Sequence, residues 1–221
     1  MSALNTVRLC FSKTGRAKYI SHLDLTRTMT RVIRRAGIPL WYTEGFNRHP
    51  YITFAAPLSL GYEGLRESMD LRLEEELPME ELVRRMNAAA PEGIRFLSAA
   101  PAVMKAGELT SARYRIAFAG ESGGCGKALL ERFLQQEAMP VEKRTKKGGV
   151  KTVDIRPHLE NPVLDGEEAA AVLEVTLPCS SALTLNPSLL LTALQAFSGD
   201  NTLCCTVVRI NLFGPDGRTF C

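Results

Sequence analysis

A chain of 221 residues that is 45% hydrophobic can build packed cores, as one large domain or two of ordinary size. No apolar run reaches the roughly 20 residues that cross a bilayer, and the opening Met1-Ser2-Ala3-Leu4-Asn5 lacks a charged start followed by an apolar stretch, so a soluble, cytoplasmic protein without a membrane partner is expected. The net charge of +3 hides an asymmetry: residues 1–60 carry nine Lys/Arg against Asp24 and Glu44, residues 61–110 carry six basic and ten acidic side chains, and the remainder balances twelve against twelve.

The spacing predicts a strand over residues 7–11. A capping-box start at Ser21-His22-Leu23-Asp24 then opens a helix, with Leu25, Met29, Val32, Ile33 and Ala36 on one face and a stop at Gly37 and Pro39. A strand-like stretch around Trp41-Tyr42, a turn-rich loop from Gly45 to Pro50 and another extended stretch over 51–55 follow. Residues 68–73 alternate as a half-buried strand. A second helix starts at Pro78, with Met79, Leu82, Val83, Met86 and Ala90 inward, and 94–97 closes the unit as a strand.

After a loop rich in Ala, Pro and Gly the order begins again. A strand over 114–118 precedes a helix marked by Leu129, Leu130, Phe133 and Leu134. Strands over 141–144 and 150–155 flank Gly148-Gly149, a hairpin signal. Residues 171–177 form a longer strand, placed against that hairpin. Asn186-Pro187 caps a helix ending at Gly199, and 206–213 is the closing strand. Two βαββαβ orders predict an α+β fold of two tandem ferredoxin-like units with antiparallel sheets: 1–98, a linker over 99–111, and 112–221.

Four arginines of the first helix, Arg27, Arg31, Arg34 and Arg35, share the face opposite its apolar stripe, with Asp24 the only carboxylate on that helix. Guanidinium groups suit phosphates because a planar fork donates two hydrogen bonds to one anion, although such a ridge also solvates an ordinary helix. Lys13, Arg16 and Lys18 surround Gly15 in a basic link without P-loop spacing, which would lay backbone near phosphates or serve as a plain turn. Lys143, Arg144, Lys146, Lys147 and Lys151 make the predicted hairpin cationic, fit either to grip a nucleic-acid backbone or to protect a sheet edge. Arg48 adds charge in the loop before Pro50. Trp41, Tyr42, Phe46 and Tyr51 offer faces for base stacking, or core packing.

His22 and His49 are the imidazoles of the basic half and are the candidate acid and base of a metal-independent RNA cleavage; capping, loop bonding and stacking are their alternative roles. His158 reads as structural. The six cysteines are scattered without C-x-x-C or zinc-like spacing, so buried reduced thiols are expected, with no metal and no cofactor.

Three segments, Tyr19-Ile20-Ser21-His22-Leu23-Asp24-Leu25, Arg34-Arg35-Ala36-Gly37-Ile38-Pro39 and Gly45-Phe46-Asn47-Arg48-His49-Pro50, resemble the radical-SAM-linked family of uncharacterised bacterial proteins. Lys146-Lys147-Gly148 and Val153-Asp154-Ile155-Arg156-Pro157 are similar to its second half. Arg48 stands where that family's pattern usually has proline. The resemblance implies an accessory role in an RNA- or ribosome-related process beside a radical SAM protein. The chain lacks the C-x-x-x-C-x-x-C run that holds a radical SAM cluster, so chemistry of that kind would belong to the partner. Three functions are therefore in view: an RNA-binding accessory protein, a metal-independent endoribonuclease with a duplicated ferredoxin-like fold, and a scaffold whose basic face docks an acidic protein.

Overall fold

The computed structural model describes residues 5–46, 48–118, 125–144, 148–167 and 170–221, without the side chains of Asn5 and Arg144. It is α+β: four helices accompany a mostly antiparallel set of strands. The chain forms two compact units, one of Met1–Thr110 with Arg209–Cys221, the other of Ser111–Val208.

In the first unit, β1 (Asn5–Lys13) lies between β3 (Glu63–Leu73) and β4 (Ile94–Pro101), antiparallel to both. The short β2 (Ile52–Phe54) pairs with Met69–Leu71 of β3. Alternate residues Val7, Leu9 and Phe11 of β1 and Met69, Leu71 and Leu73 of β3 are buried in one core, which α1 (His22–Arg35) and α2 (Met79–Ala89) complete. The Ser21 hydroxyl caps α1 by accepting from the Asp24 N–H at 3.1 Å. Leu25, Met29, Val32 and Ile33 are the buried face of α1, as the spacing predicts. Past the helix end, Gly37 adopts φ +62°, a conformation that suits a residue without Cβ.

Residues 99–111, expected as a linker, instead extend β4 to Pro101 and continue the first unit to Thr110. The chain's last residues also belong here, because Arg209 is held by Glu67 of β3 and the Phe220 ring packs under the Arg8 guanidinium at 3.9 Å. Trp41-Tyr42 forms no full strand. Isolated bridges join Leu40 to Leu73 and Tyr42 to Pro50, since the loop between them takes over after one residue pair.

In the second unit, β5 (Ser111–Phe118) pairs with β9 (Ala170–Pro178), and β8 (Glu160–Glu167) lies on the other side of β9. The strand order is β10-β5-β9-β8, β10 (Cys205–Phe213) contributing residues to Val208. Helix α3 (Lys127–Leu134) buries Leu130 and Phe133; α4 (Pro187–Ser198) starts at an Asn186 cap and ends at Gly199, φ +72°. The hairpin β6 (Pro140–Arg144) and β7 (Val150–Asp154) is a separate two-stranded ribbon. Its placement against residues 171–177 is thus corrected: β9 is already paired on both edges, by β5 and by β8. Strand β8 is not marked in the sequence, because its side chains are nearly all exposed and carry no alternation. Among the described residues, no helix is long and apolar enough to cross a membrane. Cys10, Cys125 and Cys179 are buried, whereas Cys204 is exposed.

Candidate nucleic-acid interface

The outer face of α1 is where the structure gathers cationic side chains. Arg27, Arg31, Arg34 and Arg35 are all exposed. Arg27 is partly neutralised by Asp24 at 3.1 Å, in a pair open enough to solvent to contribute little. The Asp24 carboxyl sits below its usual range, chiefly through its bond with the Ser21 hydroxyl and then through Arg27. Arg34 donates to the Tyr42 hydroxyl at 3.3 Å. Arg31 and Arg35 have no hydrogen-bond or ion-pair partner among the described residues, so two guanidinium forks of the ridge are uncommitted.

The Arg34–Tyr42 bond also fixes what lies at the end of that ridge. Tyr42 bridges to Pro50, and the loop between them is closed by Thr43, whose hydroxyl is 3.0 Å from His49 Nδ1 and accepts from the His49 N–H at 3.2 Å. This loop presents Arg48 to solvent and carries Phe46 at full exposure, 113% of its reference surface. An aromatic ring left wholly in water has no packing role within the unit. Asn47 lies outside the described residues.

The two histidines are held by different neighbours. His22, at the start of α1, sets its ring edge-on to Phe54 with centroids 5.2 Å apart. His49 lies beside Tyr42, at the other end of the same helix. Fourteen helical residues separate those ends, about 20 Å.

The Lys13–Lys18 link differs from the expectation. Lys13 is buried at 1% exposure, its ammonium donating to the Lys18 carbonyl at 3.4 Å. Burial lowers its pKa, Glu67 opposing that shift and Arg209 adding to it. The backbone N–H of Gly15 donates to the Glu63 carboxylate at 3.1 Å, with Lys18 4.0 Å from the same oxygen. A protein carboxylate thus occupies the cradle proposed for phosphate, and only Arg16 remains fully outward. The lysine is internal because its strand position is: β1 runs to residue 13, and its end is covered by the Glu67–Arg209 pair.

On the ribbon, Lys143 and Lys151 are direct cross-strand partners, a like-charge pairing that costs stability unless something offsets it. Lys143 is partly offset, donating to the Thr184 carbonyl at 2.7 Å, whereas Lys151 is exposed. Lys146, Lys147 and the Arg144 side chain lie outside the described residues. His158 is half-buried in a short 3-10 turn. No group of three His, Cys, Asp or Glu side chains is disposed to hold a metal ion among the described residues.

Some groups escape sequence reasoning. Arg8 donates twice to Asp70, at 2.7 and 2.8 Å, and to the carbonyls of Met104 and Phe220. Arg72 lies over the rings of Trp41 and Tyr51, so these aromatics serve an arginine rather than the hydrophobic core. Arg72 and Asp70 carry a weak signal in the sequence, as polar positions alternating with Met69, Leu71 and Leu73, but alternation points only to a solvent face.

Among curated proteins no match to the chain is found. A solved structure titled "Crystal Structure of an Unknown Protein from Galdieria sulphuraria" aligns over 94% of this chain and 99% of that chain at 11% identity, with a TM-score of 0.28 that carries no argument. Residues 6–187 match the family described as "Uncharacterized protein conserved in bacteria (DUF2344)", which spans both units, and the chain belongs to that family.

Proposed function

We propose that this protein is a cytoplasmic RNA-binding accessory factor that acts beside a radical SAM partner in an RNA- or ribosome-related process. The observation that carries the RNA reading is the outer face of α1: four exposed arginines, two of them uncommitted, run toward a loop that bears Arg48 and the fully exposed Phe46. Cations that track a phosphate backbone together with an aromatic face for an unstacked base are what single-stranded RNA requires. The radical SAM partner rests on the sequence resemblance alone. A tandem ferredoxin-like architecture belongs to the same proposal. The orders β4-β1-β3 with β2 against β3, and β10-β5-β9-β8, support it, with the β6–β7 ribbon as an insertion in the second unit.

The test is RNA affinity as a function of salt. If Arg31 and Arg35 each neutralise one phosphate of a single strand, the variant Arg31→Glu/Arg35→Glu binds more weakly and its log–log salt slope is shallower by about 1.4. An unchanged slope in the folded variant takes the helix out of the interface. Loss of binding to an acidic polypeptide, with RNA binding absent in the wild type, favours the scaffold instead.

A further inference from the structure

Arg72 is anomalous among the arginines of this chain. Six described arginines are buried or half-buried: Arg8, Arg113 and Arg209 bind carboxylates, Arg85 and Arg156 bind main-chain carbonyls, and Arg72 binds nothing. Its Nε–H is sealed from solvent without an acceptor, and its Nη groups have none among the described residues. The neighbouring carboxylate on the same strand face, Asp70, is taken by Arg8 in a two-point bond.

The side chain is nevertheless held in place. Its guanidinium carbon lies 4.8 Å from the Trp41 ring centroid and 4.5 Å from that of Tyr51, and the rings meet at 61° with centroids 6.0 Å apart. Trp41 is tied to the strand by donating its N–H to the Arg72 carbonyl at 2.8 Å, and Tyr51 donates its N–H to the Trp41 carbonyl at 3.2 Å. Since Met69, Leu71 and Leu73 point into the core beneath α1 and α2, Arg72 lies on the opposite face of β3. A cation fixed by two rings, but left without a counter-charge, is a preorganised anion receptor: the ordering is complete before a ligand arrives.

We propose that Arg72, held by Trp41 and Tyr51, is a phosphate-binding subsite for a nucleotide strand, on the face of β3 opposite the two helices. The class of ligand rests on the RNA reading above; the receptor itself does not. The fork matches two phosphate oxygens, and the rings keep its plane fixed while it donates.

Trp41 is the sole tryptophan of the chain, so its fluorescence reports on this site without labelling. The wild type is titrated at constant ionic strength with a short single-stranded RNA, a nucleoside monophosphate, inorganic phosphate and acetate. A saturable change with the RNA, a weaker one with the monophosphate and none with acetate is the expected result. Because replacing Arg72 alters the surroundings of Trp41, variants are read by the anisotropy of labelled RNA. Arg72→Gln weakens binding roughly tenfold, the scale of one charge-assisted hydrogen bond, and Arg72→Lys, which keeps charge and stem, falls between. Should Arg72→Gln misfold, Arg72→Lys alone decides. RNA that binds without any response of Trp41 and without dependence on Arg72 overturns the subsite and leaves the helix ridge standing. A response to the monophosphate that needs Arg72, in a protein that binds no RNA, keeps the subsite and overturns the RNA reading. An equal response to acetate overturns the assignment to phosphate.

Discussion

Removing the buried Glu67–Arg209 pair of the first unit makes a quantitative prediction. The side chains are 5% and 2% exposed. Arg209 Nε donates to Glu67 Oε1 at 2.9 Å, and Nη2 donates to the second carboxylate oxygen. Arg209 also donates to the carbonyls of Ala56 at 2.9 Å and Pro57 at 3.3 Å. Replacing Arg209 by Met leaves a buried carboxylate without its hydrogen-bonded partner, Lys13 being its cationic neighbour, and two carbonyls short of a donor; breaking a buried pair in this way costs about 3–5 kcal/mol. Glu67→Met leaves the buried guanidinium with the two carbonyls as its remaining acceptors, so a penalty in the same range, about 3–5 kcal/mol, applies.

The double replacement Glu67→Met/Arg209→Met discriminates between mechanisms. With both charges gone neither partner of the pair is stranded; the two orphaned carbonyls cost about 1–2 kcal/mol in total as groups that recover part of their bonding from water, and Lys13, deprived of Glu67, gives up its proton more readily. The double variant is therefore more stable than Arg209→Met alone. Urea denaturation followed by far-UV circular dichroism measures all four proteins, and a cycle gives the coupling. Against a total stability of about 5–15 kcal/mol, each single variant remains measurable. A loss under about 1 kcal/mol for Arg209→Met, or penalties of the two singles that simply add, would refute the claim that this pair pins the chain's closing segment to β3.

That pair also marks where sequence reading stops. Helices α1 and α4 are legible because caps and apolar spacing coincide, Ser21 and Asn186 accepting main-chain N–H groups as their residue types suggest, and α2 is legible from its apolar spacing after Pro78. The ribbon is legible because Gly148-Gly149 separates two short extended runs. Strand β8 is not, because a strand with one free edge and mostly wet side chains lacks the alternation that betrays a buried face. Lys13 and Arg209 are not, because charge predicts exposure, and only the three-dimensional arrival of Glu67, from a strand far away in sequence, makes their burial tolerable. The arginine ridge on α1 follows from a period of 3.6 residues, while its commitment to partners does not: Asp24 and Tyr42 take two of the four guanidinium groups. Phe46 is a stacking candidate by residue type, and its full exposure depends on a loop closed by Thr43 and His49.

The remaining predictions concern titratable groups. Burial depresses the Lys13 pKa in the folded state, so between that value and the ordinary one near 10.5 the unfolded chain binds more protons, and stability rises with pH across that window. Lys13→Met removes this dependence and raises stability at pH 7; a loss of stability, or an unchanged alkaline slope in urea titrations, contradicts it. The last prediction concerns His22 and His49. Metal-free cleavage of RNA requires one group to take the proton of the attacking 2′-hydroxyl and another to protonate the leaving oxygen, both within hydrogen-bond reach of the same phosphodiester. His22 packs edge-on against Phe54 and His49 is bonded to Thr43, so each imidazole already has a structural role. Purified wild type is therefore expected to bind RNA in EDTA without cutting it. His22→Ala costs about 1 kcal/mol of stability through its lost edge contact with Phe54, with RNA affinity nearly intact. His49→Ala loosens the loop that displays Phe46 and Arg48, so its effect falls on affinity. A bell-shaped pH profile of cleavage by the wild type, abolished in each variant alone, would make the two imidazoles the acid and base and the protein a nuclease.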